Sequence, residues 1–218
     1  MQDIRPEAPT VIREAMESFI RITILTLWVP FTVITDLVIL GNRLGERSVT
    51  EFTQSLVLLV TAILIADTAR HDRASRGFLT LMAGLMACMF IRETDLVLDK
   101  LVTHGFWCPL ALAAAAVTAA VAWRNRATIL PGAAAFIGTK PYYYMQFGFL
   151  VLIVLSRSLG SGRLLWNLLS YDDTHRLFKT IIQESLESFG YILMCFGAFA
   201  LRRAREAPQC ASRPDFTN

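Results

Sequence analysis

The chain has 218 residues, is 54% hydrophobic and 18% charged, and carries a net charge of +3 with a mean hydropathy of +0.47. Soluble domains hold roughly 45–50% apolar and about 25% charged residues, so this balance excludes a disordered chain, a nucleic-acid module and a disulfide scaffold. It leaves a polytopic membrane protein, and apolar stretches that are continuous rather than alternating select helices over a barrel.

The first 17 residues include Asp3, Arg5, Glu7, Arg13, Glu14 and Glu17, too polar for the short apolar core of a cleavable signal. Residues 1–18 therefore read as a cytoplasmic segment, and the first helix as its own insertion signal. Six stretches then match the roughly 20 residues that cover a ~30 Å hydrocarbon core. They are Phe19–Leu40, Phe52–Ala69, Gly77–Leu98, Phe106–Trp123, Tyr142–Leu159 and Thr180–Leu201. Turn residues divide them: Gly41–Asn42, Gly105, Pro131–Gly132 and Gly160–Gly162. Between the fifth and sixth stretches, Leu164, Leu165, Trp166, Leu168, Leu169 and Tyr171 predict an amphipathic piece lying in the interface. The expected fold is all-α: a six-helix transmembrane bundle over 19–201, then a cytoplasmic polar tail over 202–218.

The fourth stretch is rich in alanine, with Ala111, Ala113–Ala116, Ala119, Ala120 and Ala122, and is expected to pack at the centre of the bundle, since small residues let helices approach closely in lipid. The tryptophans and Tyr142–Tyr144 sit mostly near span ends and read as an interfacial belt. Cys88, Cys108, Cys195 and Cys210 form no CxxC pair, so no redox dithiol or cysteine metal site is indicated.

With both termini on one side, thirteen of the 21 basic residues face that side and six face the other. The positive-inside rule makes the richer side cytoplasmic. The chain is thus expected in the plasma (inner) membrane, multi-pass, with cytoplasmic termini. Its partners are the bilayer and either another membrane protein or a second copy; no nucleic acid is expected.

Charges inside membrane helices are costly, about 2.5–3.5 kcal/mol each on insertion scales, and usually face the bundle interior. Asp36 stands in the first stretch. Arg92, Glu93, Asp95 and Asp99 end the third, and Glu184 and Glu187 begin the sixth. The alternating direction of the spans puts these groups at similar depth in the outer half. At ~1.5 Å per residue, Glu187 lies on the order of 10 Å below the start of its span. Glu184 and Glu187 share a helix face, as do Arg92, Asp95 and Asp99.

Asp36, Glu93, Asp95, Glu184 and Glu187 are accordingly the expected cation-binding or proton-carrying groups, with Arg92 and Arg157 balancing charge. Glu93, Asp95, Glu184 and Glu187, with nitrogen from His104 or His175, would form the ligand set if the cation were a divalent metal. Two alternatives stand beside this. One is an enzyme on a lipid or lipid-linked substrate, with Arg157, Arg163 or Arg176 holding a phosphate. The other is an accessory subunit in which Arg92–Asp95 and Arg157 with Glu184 or Glu187 are structural ion pairs. Asp67, beside Arg70 and Arg73, reads as structural. No zincin motif, phosphate loop or rhomboid-type serine turn is present, and no catalytic residue is assigned.

Overall fold

A computed structural model of the chain describes residues 8–41, 44, 48–161 and 173–211. These residues are almost wholly helical, with no strand among them. α1 runs over Ala8–Ile34 and continues into a π-helical turn, Thr35–Ile39. α2 (Val49–His71) and α3 (Arg76–Glu93) form a tight hairpin, and a short α4 (Asp95–Leu101) follows. α5 (Trp107–Arg124) leads through a 3₁₀ turn into α6 (Ile129–Phe136). α7 (Lys140–Leu150) passes through a second π-helical turn, Val151–Ser156, into α8 (Arg157–Gly160). α9 (Asp173–Ala211) is the longest element.

Five helical segments are long and apolar enough to cross a membrane: Ala15–Ile39, Val49–His71, Trp107–Arg124, Lys140–Gly160 and Arg176–Glu206. This suits a multi-pass integral membrane protein. So does the surface, on which Phe19, Phe31, Phe52, Val117, Leu130 and Ile153 are all more than half exposed. A water-soluble monomer does not present apolar area on this scale.

The expected third span is the exception, because α3 is 18 residues long and includes Arg76, Arg92 and Glu93. It also stops earlier than the apolar pattern suggests. At Thr94 the backbone leaves helical geometry (φ −97°, ψ 15°), and the Thr94 hydroxyl donates to the carbonyls of Phe90 and Ile91, both at 3.1 Å. Back-bonding of this kind bends helices. Arg92 therefore lies on α3 while Asp95 and Asp99 lie on α4, across the distortion, rather than on one straight helix. The expected interfacial piece, 164–171, lies outside the described residues.

α2 and α9 run parallel at the core, with α7 antiparallel to α9 and α3 antiparallel to both α2 and α5. Buried Leu58, Ile65, Leu79, Met86, Met145, Leu152, Tyr191 and Met194 fill the space between them. Small residues set the closest approaches. A Cβ at Gly148 would come within 2.7 Å of the Gly190 carbonyl, so α7 and α9 touch backbone to backbone there.

The alanine-rich α5 is a correction. It lies at the edge, mainly against α3, where Gly84 packs against the Thr118 side chain. Ala122 is its one buried residue. The centre is taken by α9, which alternates small residues with large ones and so interlocks with α2 and α7. The large side chains of α5, Leu112, Val117 and Trp123, are exposed and fill no such gap.

Candidate functional site

The polar groups gather where α2 and α9 begin and α1, α3 and the α7–α8 helix end. Asp36, 0% exposed, is delivered there by the π-helical turn, closed by the Leu40 N–H bonding Thr35 O at 3.0 Å. Its Oδ1 accepts from Val49 N–H at 2.8 Å. Its Oδ2 accepts from Thr50 N–H at 2.9 Å and from the Thr50 hydroxyl at 2.6 Å. Ser48 Oγ takes the next donor, Glu51 N–H, at 3.0 Å. The first amides of a helix have no partner within it and favour negative charge, so Asp36 serves as an interhelical cap for α2.

One turn further along α2, Gln54 is 1% exposed and bridges to α9. Its Nε2 donates toward Glu184 Oε2 at 3.0 Å, Ser188 Oγ at 3.0 Å and the Glu184 carbonyl at 3.2 Å. Gln54 Oε1 is buried and has no hydrogen-bond partner among the described residues. Glu187, 5% exposed, accepts from Ser156 Oγ at 2.9 Å and Gln183 Nε2 at 3.2 Å, both through Oε1. Glu93 Oε1 accepts from the Tyr191 hydroxyl at 2.8 Å, and the guanidinium of Arg92 is 3.4 Å away. Glu93, Glu184 and Glu187 lie within electrostatic reach of one another. Three carboxylates from two helices are thus held by hydroxyls and amides, with Arg92, itself half exposed, as the single nearby cation paired to any of them in the described structure.

The other expected site residues lie apart. Asp95 opens α4, where its Oδ1 meets the Leu96 amide. Asp99 accepts from Gly105 N–H at 2.8 Å and meets His104 Nδ1 at 2.7 Å, closing the turn before α5; His104 is 98% exposed. Arg157 pairs with neither Glu184 nor Glu187. It lines a cavity of about 430 Å³ with Ser156, Ser158, Gly160, Ser161 and Gln183. Arg176 is exposed at the start of α9. Arg163 and the side chain of His175 lie outside the described residues. Among the described residues, no group of three or more His, Cys, Asp or Glu side chains is disposed to hold a metal ion.

Sequence reasoning passed over Gln54, Ser156, Ser188 and Tyr191. A signal for some of them existed. Glu184, Glu187, Ser188 and Tyr191 fall at the 3–4 spacing of one helix face. Gln54, Thr61 and Thr68 recur every seven residues on α2, and all three are buried. Cys195 of α9 lies beside Thr61, so this stripe faces α9.

The stripe ends at a second cluster. Asp67 lies 3.3 Å from Arg202 Nη2 and 3.7 Å from His71 Nδ1, and Asp72 lies 3.0 Å from Arg205 Nη1. Arg202 Nε also donates to Glu206 at 2.8 Å. These residues and Thr68 line a cavity of about 410 Å³. Asp67, expected beside Arg70 and Arg73, is held by α9 instead.

No family model, curated protein or solved structure matches the chain.

Proposed function

We propose that this is a six-crossing inner-membrane protein whose outer-leaflet carboxylate layer binds or conducts a cation, and that the cation is a proton. One observation carries the reading. Glu93, Glu184 and Glu187 converge in a largely buried layer whose donors are neutral, with one arginine at its margin. Like charges crowded in low dielectric need compensation, and the absence of a metal-holding side-chain group among the described residues turns the argument from a divalent ion to a proton. The polar stripe Gln54–Thr61–Thr68 supports communication with the opposite cavity. The antiparallel run of α3 between α2 and α5 supports its counting as a crossing. It brings the start of α1 and the end of α9 to the same end of the bundle, which agrees with cytoplasmic termini under the positive-inside rule.

The test is infrared spectroscopy of the purified full chain across a pH series. A protonated-carboxyl stretch that shifts in deuterated water and is lost in Glu187→Gln or Glu184→Gln is the expected result. Absence of such a band at every pH would sink the proposal.

A second reading, an enzyme acting on a lipid-linked phosphate, rests on the cavity beside Glu187. Ser156 and Gln183 both line it and both donate to that carboxylate, and Arg157 stands at its edge. Phosphate release from phospholipid vesicles, abolished by Glu187→Gln, would favour it over proton carriage.

A further inference from the structure

The end of the bundle that holds the Asp67 cluster carries a second, differently composed cavity. It measures about 530 Å³ and opens between the end of α2, the start of α3 and the end of α5. Its polar lining is dominated by Arg70, Arg76 and Arg124, and no acidic residue contributes to it. Ala66, Ala69, Ala83 and Val121 form much of the remaining wall.

The acidic groups nearby are already engaged. Asp67 is bound by Arg202 and His71. Asp72 is bound by Arg205 and accepts from the amides of Ala74 and Ser75 through its other oxygen. Of the three arginines, Arg76 has a fixed anchor: its Nε and Nη2 donate to the carbonyls of Ala69 and Arg70, 3.2 and 2.9 Å away, at the end of α2. Arg70 and Arg124 make no ion pair with any described residue. Three guanidiniums therefore meet at one recess with no acidic residue in its described lining; Arg70 and Arg124 offer planar forks matched to phosphate oxygens, and Arg76, anchored through Nε and Nη2, adds its remaining donor Nη1.

The walls identify the source of that phosphate. Beyond the arginines the recess is lined largely by small apolar side chains, and the face of α5 turned away from α3 is exposed, with Val117 and Val121 on its surface. A soluble phosphate needs no such apolar continuation, whereas a phospholipid places its headgroup against the cations and its acyl chains along the alanines. Basic pockets between membrane helices bind anionic headgroups on this principle. We infer that the recess between α2, α3 and α5 is a binding site for one anionic phospholipid, with Arg70, Arg76 and Arg124 holding its phosphate.

The site is remote from the carboxylate layer, and its test is independent of proton carriage. The full chain in neutral detergent is titrated with phosphatidylglycerol, phosphatidylcholine and soluble glycerol phosphate, and bound lipid is counted by native mass spectrometry. One tightly held phosphatidylglycerol is expected, with phosphatidylcholine at least tenfold weaker. The variant Arg70→Gln with Arg124→Gln leaves the Arg76 anchor intact and should weaken phosphatidylglycerol at least tenfold. Arg13→Gln with Arg203→Gln removes the same charge from the same end and should leave it unchanged. Equal loss in both pairs, or no loss in the first, overturns the inference. Glycerol phosphate binding as tightly as the lipid overturns the lipid assignment.

Discussion

The two ends of α2 solve one electrostatic problem in opposite ways. At its start, carboxylates from α1, α3 and α9 are met by backbone amides, hydroxyls and carboxamides: Val49, Thr50, Gln54, Ser156, Gln183 and Tyr191. At its end, carboxylates are met by guanidiniums, Asp67 by Arg202 and Asp72 by Arg205. An ion pair cancels charge and leaves little for a further ligand to do. A neutral donor holds the carboxylate in place and leaves its charge available. The first arrangement leaves charge largely uncancelled, and the second cancels it in joining α9 to the α2–α3 turn.

Substitutions can break this contrast. Asp36→Leu has the largest expected effect, because it leaves two backbone amides and a hydroxyl buried without acceptors. At about 1–3 kcal/mol for each unsatisfied buried group, the loss should reach roughly 3 kcal/mol or more, read as a lowered unfolding midpoint in detergent. Gln54→Leu comes next. It cuts the bridge from α2 to Glu184 and Ser188 at a cost of about 1–3 kcal/mol, and the midpoint should fall equally at low and high salt. Arg202→Gln should shift the midpoint less than either. That shift should fade as salt is raised toward 1 M, where the screening length is only ~3 Å; a salt-independent loss would mean that this pair is not the solvent-screened contact its exposure suggests. Glu187→Gln should be the mildest, within about 1 kcal/mol, since the new carboxamide oxygen still accepts from Ser156 and Gln183. A larger loss than from Gln54→Leu would mean that charge, rather than hydrogen bonding, anchors Glu187.

The legible part of this molecule was the part governed by hydropathy and period. Apolar runs mark the spanning segments to within a few residues where no charge intrudes; the alternation of direction predicts a similar depth for Asp36, Glu93, Asp95, Asp99, Glu184 and Glu187, of which Glu93, Glu184 and Glu187 lie within electrostatic reach of one another. What escaped is decided by partners distant in sequence. Nothing local to Asp36 says that the amides it will meet are those of Val49 and Thr50, 13 and 14 residues on. The alanines of α5 suggest a packing surface, but smallness permits close approach without supplying the bulky neighbour that makes a helix central. A shared face for Arg92 and Asp95 assumes an unbroken helix, whereas the backbone at Thr94 departs from helical geometry between them. Gln54 went unnoticed because one amide in an apolar run barely moves the hydropathy average, although it is the bridge between two helices.

The π-helical turn at Val151–Ser156 acts as a phase correction. Gly148, Leu152, Ser156 and Gly160 all face α9, at intervals of four residues. In a regular α-helix a four-residue repeat drifts by ~40° per step, about 120° over this series, which would swing its last members off the contact. The wider turn absorbs that drift, so a strict period of four stays in register with its neighbour. Deleting Ile153 should restore ordinary winding while preserving the faces on either side, and so should be tolerated better than a deletion in the middle of α2.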